Sequence, residues 1–219
     1  HSTCGIKPLE GAVATLRPGE GRFGGAVAVE EGTTNAIEMP YYLVASQWST
    51  FGFSDSKTHT RITESNDNIN GGSSIKVERI ASSSTMTANC SYINNPTRIV
   101  LSPGEKATLS GYVKGSSGLV GKPLALWFYG NRSTGGQFST GAVSGTISSE
   151  WQRFSYTITN NTTDQDWTIT TIYFRADCGT TLQNGEHFFV HLPQLEKKPF
   201  ATSFVDGTRA AGRLEYPGS

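Results

Sequence analysis

The chain reads as an all-β domain, an antiparallel two-sheet sandwich, on three observations. Short runs of β-branched and aromatic residues recur between clusters of Gly, Pro, Asn and Ser. Within those runs apolar and polar residues alternate with the period of two that puts one face of a strand in a core. Only 16% of the 219 residues are charged, against about a quarter in an average domain, and the Glu/Lys/Ala/Leu runs of long helices are missing. Helices are therefore expected only incidentally.

Taken in order, the runs predict strands over residues 25–30, 73–80, 97–101, 106–114, 123–129, 151–159, 167–175 and 187–196. Gly71-Gly72 and Ser102-Pro103-Gly104 are turn chemistry, Pro presetting φ and Gly accepting positive φ. Eight or more short strands without a fixed-period repeat fit a jelly roll rather than a solenoid or propeller. Residues 1–22 and 206–219 are rich in Gly and Pro with interspersed charge. They read as a lead-in segment and a C-terminal linker flanking one domain at 23–205. The chain starts at His1 with no signal-like pattern, which reads as a piece of a longer polypeptide.

Composition narrows the function classes. The 18 Lys and Arg residues cancel the 18 Asp and Glu residues, so no excess field is available to hold a polyanion and nucleic acid is not an expected partner. The apolar run at residues 124–129 is far shorter than the ~20 residues of a spanning helix, so membrane insertion is not expected either. Cys4, Cys90 and Cys178 are too scattered for a disulfide framework or a zinc knuckle. His1, His59, His187 and His191 lack metal or triad spacing, and there is no Gly-x-Ser-x-Gly elbow. Glycoside cleavage needs two carboxyl groups facing one bond, and nothing in the sequence pairs Glu78 or Asp177 with a second. A non-enzymatic module is expected, with a glycan hydrolase as the distant rival.

Alternation also splits each strand into a core face and an outer face. On the 106–114 run Ala107, Leu109, Gly111 and Val113 go inward and Tyr112 outward. On the 123–129 run Leu124, Leu126 and Phe128 go inward, with Trp127 and Tyr129 outward. On the 167–175 run Ile172 and Phe174 go inward, with Tyr173 and Arg175 outward. Sugars present flat C–H faces that stack on rings and hydroxyls that bond to Tyr and Arg. Tyr112, Trp127, Tyr129, Tyr173 and Arg175 are thus the candidate ligand-binding residues for a polysaccharide. The same rings would suit a surface packed under a long loop or against a neighbouring domain. Trp48 is expected in the core, while Trp151 and Trp167 are left out of the site.

Several stretches, in order, carry a resemblance: Arg22–Asn35, Gly72–Val77, Leu101–Glu105, Leu109–Lys114, Trp151–Arg153 and Gln194–Arg209. The last is the most specific, a Gln-Leu-Glu strand followed by Ala-Thr-Ser-Phe-Val-Asp-Gly-Thr-Arg. Together they resemble a carbohydrate-binding-module-like jelly roll of bacteriophage tail and virion-associated proteins, related to the family 4/9 modules. The resemblance implies a non-catalytic module set between other domains of a tail or fibre protein, in a virion or outside cells. It also implies host cell-surface glycan as the partner, with a purely structural spacer as the alternative. Related modules often hold a structural calcium on acidic residues of the first and last strands. Here Glu30, Glu31 and Glu196 could supply oxygens, but His191-Leu192 stands where such modules commonly carry Asp-Asp.

Overall fold

The computed structural model describes residues 15–17, 26–28, 32–37, 40, 42–49, 60–69, 71–80, 88–92, 99–176, 184–204 and 208–209. These form strands β1 (Thr15–Arg17), β2 (Ala26–Ala28), β3 (Thr33–Thr34), β4 (Trp48–Ser49), β5 (Thr60–Ser65), β6 (Ser74–Arg79), β7 (Ala88–Tyr92) and β8 (Ile99–Leu101). The chain continues through β9 (Lys106–Gly115), β10 (Pro123–Arg132), β11 (Gln137–Thr146), β12 (Gln152–Thr159), β13 (Trp167–Ala176), β14 (His187–Glu196) and β15 (Thr208–Arg209). The only helical turns among the described residues are two three-residue 3-10 turns, at Ala45–Gln47 and Ser117–Leu119. No described helix is long and apolar enough to cross a membrane.

Two antiparallel sheets make the jelly-roll sandwich. The first has the order β11-β10-β13-β7-β4, with β8 also paired to β13, and the second has the order β12-β9-β14-β6-β5. Alternation fills the space between them. Leu124, Leu126 and Phe128 of β10 and Phe174 of β13 face Leu109 and Val113 of β9 and Phe188 and Val190 of β14, all of them buried. Gly111 on β9 marks how closely the sheets approach. A Cβ there would sit 2.8 Å from Phe174 Cζ and 2.9 Å from Cε1, so the missing side chain is the space the ring occupies. Trp48 is buried with its ring 6.2 Å from that of Phe174, as expected of a core tryptophan.

The predicted strands recur, several with extended ends, and the structure adds β1, β3, β4, β5, β7, β11 and β15 to them. Two very short ladders tie the segments read as lead-in and linker to the domain: β1 of the lead-in pairs with β2, and β15 of the linker pairs with β3. The second is part of a larger clasp over β14. A bulge between His191 and Gln194, with Leu192 at φ 47°, turns the end of β14 toward residues 33–37. There Asn35 Nδ2 donates to the Pro193 carbonyl at 3.1 Å, and the Leu195 amide donates to Asn35 Oδ1 at 3.0 Å. Glu196, fully buried, accepts from Thr33 Oγ1 at 2.6 Å, Thr202 Oγ1 at 2.6 Å and the Thr202 amide at 3.1 Å. Gln194 Nε2 donates to Thr202 Oγ1 at 3.1 Å, and Arg153 Nη2 donates to the Thr202 carbonyl at 2.5 Å. The segment around Thr202 is thereby strapped across the outer face of the second sheet.

Candidate functional site

The outer face of the first sheet is set by register. One row across the strands reads Ser139, Tyr129, Thr171; the next reads Gly141, Trp127, Tyr173; the third reads Val143, Ala125, Arg175. β7 continues the second and third rows with Ser91 and Asn89 at positions opposite Tyr173 and Arg175. With strands about 4.8 Å apart, four of them span roughly 14 Å, enough for a short oligosaccharide. Trp127, Tyr129, Tyr173 and Arg175 are all partly exposed, and Val143 extends the apolar strip at the β11 edge.

Each group on this face has a defined setting. Trp127 Nε1 donates to Ser139 Oγ at 2.7 Å, and the Arg175 guanidinium carbon lies 6.0 Å from the indole centroid, within cation–π range. Tyr173 and Tyr129 are diagonal neighbours. Burial, and to a lesser degree Tyr129, push the Tyr173 phenol above its ordinary value, so it stays a neutral hydroxyl able to donate and accept throughout the physiological range. The result is a flat ring, two phenols and a cation on a plane of extended backbone, an arrangement suited to stacking and hydrogen bonding rather than to bond cleavage.

Four of the five sequence-predicted site residues come together here. Tyr112 does not. It projects outward as expected, but β9 belongs to the second sheet, so its ring lies on the opposite side of the sandwich, with Arg153 Cζ 5.9 Å from its centroid and His191 beside it in register. Alternation tells inside from outside; it does not tell which of two sheets a strand joins. The sequence reading also missed Ser139 and Gly141, because the run at Gln137–Thr146 is rich in small residues. Its signal was the alternation of Phe138 with Ser139 and Gly141, a period of two on an edge strand poor in large side chains.

The remaining tryptophans sit elsewhere. Trp167 is buried and stacked on Phe138 at 4.5 Å. Trp151 is on the second sheet's side, its ring 6.2 Å from that of Phe189, with Lys114 Nζ 5.3 Å from its centroid.

The carboxylates weighed in the sequence for hydrolysis and for calcium have protein partners where they are described. Glu78 bonds Lys76 Nζ at 2.8 Å and Arg61 Nη2 at 2.5 Å, and these bonds hold its carboxyl below the usual range, the reverse of what a general acid needs. Asp177 lies outside the described residues. For calcium, Glu196 is the described member of the implied set, and it is already engaged in the clasp, Oε1 accepting two hydrogen bonds and Oε2 one. Glu30 and Glu31 lie outside the described residues, as does Cys4, and no group of three His, Cys, Asp or Glu able to hold a metal occurs among the described ones.

No protein-family model and no curated protein sequence matches the chain. Solved structures do. The module pair of endo-1,4-β-D-xylanase 10B from Clostridium thermocellum, a family 22 carbohydrate-binding module with a catalytic module, in complex with xylohexaose, superposes with TM-score 0.50 at 16% identity. The match covers 75% of this chain and 28% of that one. A family 22 xylan-binding domain from Paenibacillus barcinonensis gives TM-score 0.49 at 12% identity over 80% of this chain and 100% of that one. The enzymatically active domain of tailspike protein 4 from bacteriophage CBA120 gives 0.43 at 14% identity, over 74% and 21%. The fold is therefore that of the carbohydrate-binding-module β-sandwiches.

Proposed function

We propose that the chain is a non-catalytic carbohydrate-binding module and that its glycan lies across Trp127, Tyr129, Tyr173 and Arg175. The observation that carries the reading is the partly exposed indole of Trp127 on an extended sheet face, flanked by a guanidinium at 6.0 Å and by the Tyr173 and Tyr129 phenols. A ring held this way offers a π-face to sugar C–H groups, and the phenols and guanidinium offer polar partners to hydroxyls at its rim. That a structural neighbour is part of a module pair solved in complex with xylohexaose supports a saccharide as the ligand class. The Gln194–Arg209 segment, with its resemblance to phage modules, supports placement among neighbouring domains of a virion protein, where a host cell-surface glycan would be the natural target.

The test is an array of bacterial cell-wall and capsular saccharides probed with the wild-type chain and with Trp127→Ala. Loss of one stacked ring should weaken binding roughly ten- to a hundred-fold, about 1.4–2.8 kcal/mol, with the melting temperature nearly unchanged because the ring is not part of the core. A wild-type chain that retains no saccharide would leave a structural spacer as its role.

A further inference from the structure

We propose that Gly141 and Ser139 on β11 form a seat that fixes the pose of Trp127 and so act as positioning residues of the glycan platform. The proposal rests on the glycan reading above. Gly141 is the direct cross-strand partner of Trp127 on the outer face. A Cβ built on it would lie 2.4 Å from both Cδ2 and Cε3 of the indole, and 2.5 Å from the Leu126 carbonyl oxygen. Those separations are far inside van der Waals contact, so the six-membered ring of the indole lies down over the bare Cα of Gly141. Two positions along the same face, Ser139 Oγ accepts from Trp127 Nε1 at 2.7 Å, which fixes the direction of the pyrrole edge. On the other flank Arg175 of β13 stands 6.0 Å from the ring centroid.

The seat accounts for an otherwise unfavourable residue choice. Glycine in a strand interior loses backbone entropy and side-chain packing, and its presence often marks a place where another group must approach closely. Here that group is the indole. Any side chain at position 141 would tilt the ring up from the sheet, turning its face away from a sugar lying along the platform, while a ring without the Ser139 bond would be free to swivel about χ2. Stacking is an oriented contact, so pose as well as presence decides how much it contributes.

The experiment places Gly141→Ala and Ser139→Ala in both the wild-type and the Trp127→Ala backgrounds. Two quantities are read: tryptophan emission with acrylamide quenching, and retardation in gels containing soluble xylan, β-glucan or purified bacterial capsular polysaccharide. Circular dichroism melts check that each variant is folded. Gly141→Ala should weaken retention about tenfold and Ser139→Ala two- to threefold. Both should shift emission, and every effect should vanish when Trp127 is already Ala, since residues acting through one side chain are not additive. Because position 141 also faces the Leu126 carbonyl, Ser139→Ala keeps the test decisive if Gly141→Ala does not fold. Retention unchanged in a folded variant, or effects that persist without Trp127, would overturn the seat. A wild-type chain that binds none of the polysaccharides while the emission shifts still depend on Trp127 would instead overturn the glycan reading and leave the packing relation standing.

Discussion

The two outer faces of the sandwich carry similar residue types and use them in opposite ways. On the second sheet, Lys114 Nζ lies 5.3 Å from the Trp151 ring and 5.4 Å from the Phe189 ring, and Arg153 covers Tyr112. Lys114 is further bound to Asp67 and Arg153 to the Thr202 carbonyl. Beyond them the strap at residues 199–203 and the segment at 33–37 cover the end of β14, around a fully buried glutamate. On the first sheet the Trp127 ring, partly exposed as Tyr112 and Trp151 also are, is laid flat on a glycine and held by Ser139. The cations beside the second-sheet rings are themselves anchored by the chain, whereas Trp127 is positioned by a glycine and a serine of its own sheet. What separates them is the neighbouring strand and the covering segment, since the local sequence around Tyr112 and Tyr173 is equally polar and equally alternating.

The strongest way to break this contrast is to remove the clasp. Glu196→Ala takes away the acceptor of three donors that are themselves buried or partly buried, leaving at least the Thr33 and Thr202 hydroxyls and an amide to be re-satisfied. Hydrogen bonds to a charged acceptor are worth about 1.5–3 kcal/mol each, partly recovered by relaxation and water, so a net loss on the order of 3 kcal/mol is expected. Thermal melts should show a fall of many degrees, while retention on polysaccharide at low temperature should match wild type as long as the chain is folded. A large loss of binding in folded Glu196→Ala would mean that the two faces are not independent.

That result bears on what the sequence could reveal. The motif segments that carry the family resemblance supply Thr33 and Asn35, Arg153, and Gln194, Glu196 and Thr202, and the structure brings all six into the clasp. The clasp itself was not legible: in the sequence Glu196 reads as a candidate oxygen donor to calcium, and its bonds to Thr33 and Thr202 depend on which distant segments the fold brings together. The sandwich itself was legible from period two, and the same rule put Trp127, Tyr129, Tyr173 and Arg175 on an outer face. Sheet membership was not, because it depends on strand order, which placed Tyr112 on the wrong side. Nor was β11, whose small side chains carry a weak hydrophobic signal although its Gly141 and Ser139 shape the platform.

A sharper comparison sets Tyr173 against Tyr112. Tyr173→Ala should weaken glycan binding about tenfold, since it removes a phenol between Trp127 and Arg175 on the ligand side. Tyr112→Ala should leave binding within about twofold and cost the chain the Arg153 contact, which is worth about 0.5–1 kcal/mol at a partly exposed site. Isothermal titration and thermal melts on both variants decide the matter. If Tyr112→Ala lost affinity as Tyr173→Ala did, the second face would have to be counted as a site.

The smallest expected effect concerns His191, which faces Trp151 at 5.8 Å and whose Nδ1 pairs with the Ser73 carbonyl at 3.2 Å. Burial depresses its pKa from the ordinary value of 6.5, and the bond to Ser73 only partly offsets this. The folded state therefore binds a proton on His191 less readily than the unfolded state does. Its contribution to stability is complete above about pH 6.5 and is lost as pH falls through the lower folded value. Glu78 and Glu105 also have lowered values, Glu78 through Lys76 and then Arg61, Glu105 through Lys197 and then the Ser102 amide. Their contributions fade only below the ordinary carboxylate range near 4.5, so of these three groups the imidazole is the one that changes between pH 7.5 and pH 5. His191 is fully buried, and the effect is expected to read as a few degrees in melting temperature for a chain of this size. Wild type should lose those degrees between pH 7.5 and pH 5, and His191→Phe should not, while binding at the Trp127 face stays level across the same interval. An acid loss of equal size in His191→Phe would show that the covered face is not what senses the proton.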